Sequence, residues 1–305
     1  MTGCYTMSGN DIPVYEADTI HGLNQLIGYV KYKCREYGDV LYRGQARLYP
    51  SLIPALLRPF KQKNAVIRTP SIKRVQALGT LISTVMSTPI KGRRNKSVAR
   101  DLNVDASIDP YARYKVEGIL QHYGVPTKCI DLVDNHWIAL WMGLNNCIET
   151  KISQSRYFHY KEREIPLLPM QVQREYSEED LYQYILLLAM PRADKQSSGV
   201  FESDETIVID LRKALPSTFL RPHAQHGIVA LKKVVFPCSV NDYDMSGYVV
   251  CIIRIRIDIA KHWLGEGTLL SQENLFPAPS NDTGYYKLLQ CNDLFKEIFE
   301  IAKFV

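Results

Sequence analysis

The chain of 305 residues has no acidic side chain between Val40 and Arg100. That stretch holds 13 of the 37 lysine and arginine residues and none of the 32 aspartate and glutamate residues, which leaves 24 basic against 32 acidic residues elsewhere, a net charge of −8. An even scatter of charge would not produce this division. We interpret the acid-free run as a phosphate-binding surface; the alternative is a solvated basic insertion without a partner.

Long apolar runs are also absent, since the longest, Ile185 to Met190, is far shorter than the roughly 18 residues that indicate a membrane-spanning helix. The first residues have neither the basic segment nor the apolar segment of a secretory signal. The seven cysteines are scattered and form no CxxC pair, so neither a zinc knuckle nor a disulfide framework is predicted. We therefore expect a cytoplasmic protein that holds no metal and associates with no membrane.

Several well-known catalytic and binding motifs are missing as well. The sequence contains no GxGxxG, no GxxxxGK[ST], no HExxH and no GxSxG. Dinucleotide binding by a Rossmann turn, phosphate binding by a P-loop, zinc protease chemistry and serine hydrolase chemistry are therefore not supported.

The first half of the chain has mainly helical hydrophobic periodicity. Its predicted elements are a helix over 12–37, a strand over 39–43, a helix over 75–87, an exposed basic loop from Lys91 to Lys96, a helix from Asp109 to Tyr123, a strand over 127–133 and a helix capped by Asp134 and Asn135. Gly124 and Pro126 end the helix that begins at Asp109-Pro110.

The second half is richer in strands. The predicted strands cover 185–190, 206–210, 227–234 and 248–257. Isoleucine and arginine alternate from Ile253 to Ile257, which predicts a sheet with one buried and one solvated face. An amphipathic helix is predicted over 293–304. Helices early and strands late favour the α+β class.

Four blocks of sequence, in the right order, resemble the FRG domain family. They are Tyr42-Arg43-Gly44-Gln45, Gln121 to Thr127 with Asp131 after it, Arg221 to Gln225 with Gly227, and Leu275-Phe276-Pro277. The sequence departs from the family pattern at Lys128, Cys129 and Val133, and no aspartate follows Pro277. The resemblance implies one FRG-type domain over 1–305, with a basic insertion at about 58–108 and a polar insertion at about 150–182.

The resemblance also implies a fold and a function. The fold would be ADP-ribosyltransferase-like, with a split mixed or antiparallel sheet and an early helical part. The protein would be an NAD-dependent ADP-ribosyltransferase that modifies a nucleic acid, RNA or DNA, as a toxin or anti-phage effector, with NAD as co-substrate and a neutralising antitoxin protein as a further candidate partner. The alternatives are a non-enzymatic nucleic-acid-binding module with a degenerate nucleotide pocket, and an NAD glycohydrolase.

Cleavage of NAD leaves positive charge on the ribose, so the site must anchor the diphosphate and stabilise that charge. The guanidinium of Arg43 suits a phosphate because it donates two parallel hydrogen bonds. The predicted catalytic residues are Arg43, Asp131 and Gln225; the predicted NAD-binding residues are Tyr42, Arg43, Gly44, Gln45, His122 and Tyr123; and the predicted nucleic-acid-binding residues are Arg93, Arg94 and Lys96.

Several of these residues have a structural alternative. Arg43 either binds phosphate or forms a structural pair with a carboxylate near the turn, and Gln225 either faces the ribose or is a buried structural amide. Tyr123 either stacks on the nicotinamide ring or belongs to the core, and His122 either binds a ligand or caps the helix. Asp131 lies at the end of a predicted buried strand and needs a partner, for which Arg43 and His122 are candidates; the alternative is that it orients a nucleophile.

The third block, Arg221 to Gln225 with Gly227, does not contain an obvious general base. Gln225 stands where transferases of this type have a catalytic glutamate, and an amide cannot act as a base. His223 and His226 flank it and are candidates for that role. The nearest acidic candidates by sequence are Glu202, Glu205 and Glu273.

Overall fold

The computed structural model describes residues 1–58, 61–62, 65–66, 71–87, 109–152, 155–164, 177–234, 239–290, 301 and 303–304. The strands are β1 Gly3–Met7, β2 Asn10–Glu16, β3 Val40–Gln45, β4 Lys61–Gln62, β5 Ala65–Val66, β6 Ile130–Val133, β7 Asn145–Ile152, β8 Ser155–Glu162, β9 Tyr182–Ala189, β10 Asp194–Ser197, β11 Val200–Glu202, β12 Thr206–Asp210, β13 Gly227–Lys232, β14 Val249–Arg256 and β15 Lys303–Phe304. The α-helices are α1 Ile20–Cys34, α2 Ser71–Ser87, α3 Ala112–His122, α4 His136–Leu144, α5 Glu178–Leu181, α6 Leu211–Ala214, α7 Leu220–Ala224, α8 Ile257–Trp263, α9 Gln272–Leu275 and α10 Thr283–Gln290. Short 3-10 helices cover Ala55–Leu57, Val240–Tyr243 and Ser246–Tyr248.

Ten of the strands form one mixed sheet, in the order β1-β2-β14-β9-β3-β6-β13-β12-β11-β10. Strands β2 and β14 run parallel, and the other neighbours in this sheet run antiparallel. Strand β3 pairs with β9 along its whole length. With β6 it shares only the register pair Tyr42–Val133 among the described residues. The two strands therefore diverge beyond that pair.

The structure is a mixed α+β protein, as predicted from the order of helices and strands. The ten strands are joined in one sheet rather than divided between two. The expected split of the sheet is not confirmed, because β3 and β6 still pair at Tyr42–Val133. A second, three-stranded sheet consists of β15, β8 and β7.

Helix α1 is shorter than the sequence predicts. Residues 12–16 belong to strand β2, where Ile12 and Val14 are buried in alternation, a period of two that the helical prediction over 12–37 overlooked. The helix begins after Thr19, whose hydroxyl oxygen accepts a hydrogen bond from Gly22 N at 3.0 Å. It ends at Cys34, before Gly38.

The central segment from α3 to α4 follows the prediction closely. Asp109 accepts a hydrogen bond from Tyr111 N at 2.8 Å, and α3 begins at Ala112. Gly124 ends it with a φ of +87°, a conformation that glycine adopts without strain. Asn135 then caps α4 by accepting from Trp137 N at 2.9 Å.

Helix α4 packs directly on β3, and Gly44 makes this possible. A Cβ atom at Gly44 would lie 1.8 Å from the carbonyl oxygen of Ala139. The approach of the helix therefore requires a residue without a side chain at this position. This contact fixes the position of β3 next to the site.

The predicted strands of the second half are confirmed to within a few residues, as β9, β12, β13 and β14. In β14, Ile253 and Ile255 are buried, whereas Arg254 is half-buried and Arg256 exposed, as the alternation predicts. The described part of the expected polar insertion at 150–182 contains β8, which pairs with β7. Residues 293–300 and 302 of the predicted final helix lie outside the described residues, and its end, predicted as helix, is instead strand β15.

The basic stretch also contributes to the core. Helix α2 lies within the expected insertion at 58–108, and it buries Leu78, Leu81, Ile82 and Val85. The predicted loop from Lys91 to Lys96 lies outside the described residues. In the part of the chain that the structure describes, no helix is long and apolar enough to cross a membrane.

Candidate functional site

A cavity of about 470 Å³ is lined by both β3 and β6 where these strands diverge. Its volume falls in the range of roughly 300–1,000 Å³ that is usual for small-molecule sites. Six of the predicted site residues line it: Tyr42, Arg43, Gly44, His122, Asp131 and Gln225. Gln45 and Tyr123 are not among the lining residues, and Arg93, Arg94 and Lys96 lie outside the described residues.

Arg43 spans the gap between the diverging strands. Its Nη1 donates a hydrogen bond to the backbone oxygen of Asp131 at 2.7 Å. Burial lowers the pKa of Arg43, and the charge of Asp131 opposes that shift, so the guanidinium stays protonated. A guanidinium has five N–H donors, which leaves donors for a ligand after this bond is made.

Gln45 supports Arg43 instead of facing the cavity. Its side chain is buried. With the amide oriented by its neighbours, the oxygen accepts from Arg43 Nε at 3.2 Å and the nitrogen donates to the Arg47 carbonyl oxygen at 3.2 Å. Gln45, predicted as an NAD-binding residue, therefore makes a bond that orients the arginine.

Asp131 is a carboxylate of the cavity wall. One oxygen, Oδ2, accepts from Gln121 Nε2 at 2.7 Å, and Gln121 Oε1 in turn accepts from Thr127 Oγ1 at 2.7 Å. The other oxygen, Oδ1, is buried and lacks a hydrogen-bond partner, although the side chain keeps 45% of its accessible surface. Burial raises the pKa of Asp131, against the opposing charge of Arg43. The predicted partner Arg43 contacts the backbone of Asp131 rather than its carboxylate.

His122 is neutral in the folded protein. Its side chain is only 5% exposed, and burial, together with the positive charge of Arg221, lowers its pKa to about 3. Its Nδ1 lies 4.0 Å from Asp131 Oδ1, too far for a hydrogen bond, and a neutral imidazole makes no ion pair. Its Nε2 is buried without a partner. Gly227 makes room for the ring, since a Cβ there would lie 2.7 Å from His122 Cε1.

Gln225 lies directly after α7 and is both buried and part of the cavity wall. Its Nε2 donates to the Leu275 carbonyl oxygen at 2.8 Å. This bond fixes the orientation of the amide, so Oε1 is the acceptor that the side chain retains. Gln225 thus combines the structural role and the site position that the sequence left as alternatives.

The other proposed bases are not part of the cavity wall. His226 Nδ1 lies 2.8 Å from Asp134 Oδ1, and His223 is exposed. Glu202 pairs with Lys233 at 2.6 Å. Glu205 accepts a hydrogen bond from a tyrosine hydroxyl at 2.8 Å, and Glu273 is exposed. Among the described lining residues, Asp131 is the carboxylate that remains.

Tyr123 belongs to the core, which corrects the prediction that it stacks on a ligand. It is fully buried, and its hydroxyl donates to Asp282 Oδ2 at 2.6 Å. Its ring packs 5.1 Å from that of Tyr285 and 5.8 Å from that of Phe219, between centroids. The guanidinium carbon of Arg221 lies 4.5 Å from its ring centroid.

Sequence reasoning missed an aromatic part of the wall. The lining residues include Phe158, Tyr160, Phe276 and Phe304, together with Arg58 and Arg156. Two signals could have revealed it. Phe158 and Tyr160 are two residues apart in a strand and so share a face, and Phe276 belongs to the Leu-Phe-Pro block.

Residues 38–151 match the family model of the FRG domain. No curated protein and no solved structure matches the chain. The matched segment begins just before β3 and ends within β7, so it includes Arg43, His122 and Asp131 but neither Gln225 nor Phe276. The chain is therefore similar to the FRG family over this segment, which brings Arg43, His122 and Asp131 to one cavity.

Proposed function

We propose that the cavity binds NAD and that the protein transfers ADP-ribose from NAD to a nucleic acid, RNA or DNA, as a toxin or anti-phage effector. One observation carries this proposal: His122 Nε2 and Asp131 Oδ1 are buried without partners in the wall of a single cavity that Arg43 and Gln225 also line. Buried polar atoms are rarely left unpaired, because desolvation without a hydrogen bond is costly. Ligand hydroxyl and amide groups would satisfy both atoms, so the residues fit NAD.

The charges of the wall suit a diphosphate. Arg43, Arg58 and Arg156 line the cavity, whereas Asp131 is the one acidic lining residue in the described chain. An excess of guanidinium groups in a partly enclosed site attracts an anion and donates hydrogen bonds to its oxygens. We therefore assign the diphosphate to the arginines, with Arg43 as the central donor.

The transfer reaction requires a group that stabilises positive charge on the ribose and takes up a proton. The bond between nicotinamide and ribose C1′ breaks with its electron pair going to nicotinamide, and an oxygen or nitrogen of the acceptor bonds to C1′ and loses a proton. Asp131 is the carboxylate available in the wall for both tasks. Its raised pKa makes it a stronger base than an ordinary aspartate. The Gln121–Thr127 pair holds it in orientation.

A nucleic acid is the acceptor that the acid-free run favours. Arg43 and Arg58 belong to that run and line the cavity, so the basic stretch reaches the site. Arg47, in the same run, is exposed. A surface of this kind binds phosphates without regard to sequence. A neutralising antitoxin protein would be the expected partner of such a toxin.

The second candidate is a nucleotide-binding module without catalysis. It is favoured by Gln225, which has an amide where a catalytic glutamate is expected and whose nitrogen is bound to the Leu275 carbonyl oxygen. This candidate predicts that NAD binds and is not consumed.

Calorimetry with Arg43→Lys tests the NAD site. A lysine keeps the charge and one donor toward the Asp131 backbone oxygen but lacks the two-pronged geometry, so the variant should stay folded and lose most NAD affinity. Arg47→Lys is the matched control, because Arg47 lies in the same run, is exposed and does not line the cavity. Unchanged NAD affinity in folded Arg43→Lys would contradict the assignment.

Incubation with NAD labelled in its adenylate half separates the functions. Label on RNA or DNA, and its loss in Asp131→Asn, is the result expected for the transferase. Free ADP-ribose without labelled acceptor indicates an NAD glycohydrolase, and binding without turnover indicates the module. Label on protein alone would contradict the nucleic-acid acceptor.

A further inference from the structure

The aromatic wall of the cavity is assembled from three separate segments. Phe158 and Tyr160 come from β8, Phe276 follows α9, and Phe304 comes from β15. The Phe158 and Phe304 ring centroids are 5.6 Å apart with an interplanar angle of 29°, and those of Phe276 and Phe304 are 5.2 Å apart at 22°. The rings of Tyr160 and Phe276 are 4.4 Å apart. The segments therefore meet in one continuous aromatic surface.

Part of this surface faces the cavity. Phe276 is almost fully buried, but Phe158, Tyr160 and Phe304 are only partly buried, and all four line the cavity. When a flat apolar ring covers aromatic surface that is open to a cavity, the free energy of the complex falls because that surface leaves water. The wall is thus suited to one heteroaromatic ring of a ligand.

The charges beside the wall decide which ring of NAD it suits. The guanidinium carbon of Arg156 lies 5.0 Å from the Phe158 ring centroid, and Arg156 Nε pairs with Glu149 Oε1 at 2.8 Å. The Arg156–Glu149 pair therefore leaves little net charge beside the aromatic wall. The nicotinamide ring of NAD is positively charged and is attracted to the carboxylate of Asp131, so the neutral adenine ring is the one left for the wall. Asp131, the acidic lining residue, is instead suited to the nicotinamide riboside end.

We propose that Phe158, Tyr160 and Phe304 form the adenine subsite of the cavity, with Arg156 beside it, so that nicotinamide riboside lies toward Asp131 and His122. This inference rests on the proposed NAD site. In this arrangement the aromatic contact to the ligand comes from β8 and β15, and not from Tyr123 at the end of α3.

Calorimetry with NAD, ADP-ribose and nicotinamide mononucleotide tests the subsite. Phe158→Leu keeps an apolar side chain and removes the ring. It should therefore weaken the binding of NAD and of ADP-ribose about 5- to 150-fold, the range for loss of one base-stacking contact. Nicotinamide mononucleotide, which has no adenine, should bind as it does to the wild type. Tyr157→Leu is the matched control, since Tyr157 is the adjacent residue of β8 and does not line the cavity.

The outcomes separate the subsite from the NAD site as a whole. If the wild type binds none of the three compounds, the NAD site is wrong. If it binds them and folded Phe158→Leu binds NAD and ADP-ribose equally well, the subsite is wrong and the NAD site stands. If Phe158→Leu weakens only the binding of nicotinamide mononucleotide, the nicotinamide ring lies on the aromatic wall and the proposed adenine subsite is wrong.

A measurement on the wild-type protein covers the case in which Phe158→Leu does not fold. In saturation-transfer NMR with NAD, protons of the protein's aromatic rings are irradiated. Adenine H2 and H8 should receive more saturation than nicotinamide H2 and H6, because the adenine ring packs on the aromatic wall. Equal or larger transfer to nicotinamide would overturn the assignment.

Discussion

The free energy of unfolding should decrease as the pH is lowered into the acid range, because His122 is neutral in the folded protein and takes up a proton in the unfolded chain. Burial lowers the pKa of His122 from 6.5 to about 3 in the folded protein, whereas an exposed histidine of the unfolded chain keeps a pKa of about 6.5. Between these values the unfolded chain binds a proton that the folded chain does not. The stability contributed by neutral His122 is therefore complete above pH 6.5 and is lost as the pH falls toward 3.

The size of this effect follows from the two pKa values. A difference of one bound proton changes the free energy of unfolding by about 1.4 kcal/mol per pH unit. Because His122 titrates only partly near pH 6 in the unfolded chain, the loss between pH 6 and pH 5 is about 1.2 kcal/mol. Other titrating groups add their own dependence, so the effect must be read as a difference between wild type and variant.

Urea unfolding of wild type and His122→Gln at pH 8, 6 and 5 measures this difference. The wild type should lose about 1.2 kcal/mol more than the variant between pH 6 and pH 5. His223→Gln is the control, since His223 is exposed, and it should follow the wild type. Parallel pH dependences of wild type and His122→Gln would refute the conclusion that His122 is buried and neutral.

Three further expectations concern Gln225, the core residue Tyr123 and the basic residues of the acid-free run. Gln225→Ala removes the donor to a buried carbonyl oxygen and should cost about 1–3 kcal/mol in urea unfolding, with transfer activity lost as well. Tyr123→Phe removes a buried hydroxyl–carboxylate bond and should lower stability by about 1–3 kcal/mol, with NAD affinity unchanged by calorimetry. Replacing Arg93, Arg94 and Lys96 with serine should reduce the log–log salt slope of nucleic-acid binding by roughly 0.7–0.9 per lost phosphate contact, whereas an unchanged slope would leave the run as a solvated surface.

The part of the fold that the sequence predicts best is the segment from β3 to α4. Its boundaries are set by local chemistry, because Asp109 and Asn135 bond to nearby backbone N–H groups and Gly124 adopts a positive φ. Residues 12–16 show the limit of this approach. Ile12 and Val14 also fit the edge of a helical pattern, and the pairing of β2 with β1 and β14 settles them as a strand.

The side-chain directions within the site could not be predicted from the sequence. His122 and Tyr123 are adjacent, yet the first lines the cavity and the second packs in the core. The partner of Tyr123 is Asp282, which is 159 residues away in the chain. The aromatic wall likewise depends on contacts between β8 and β15, which no local pattern specifies.

Arg43 shows how the fold and the site depend on each other. A strand pair that diverges leaves backbone groups without their ladder partners, and these need other hydrogen bonds when they are buried. The Arg43 side chain supplies one, to the Asp131 backbone oxygen, across the gap in which the cavity lies. Arg43 therefore both bridges the opening between β3 and β6 and contributes positive charge to the cavity wall. Nη1 donates to the Asp131 backbone oxygen and Nε to the Gln45 amide oxygen, and the guanidinium has further N–H donors that a ligand can use. Loss of the guanidinium geometry should therefore impair NAD binding before it impairs folding.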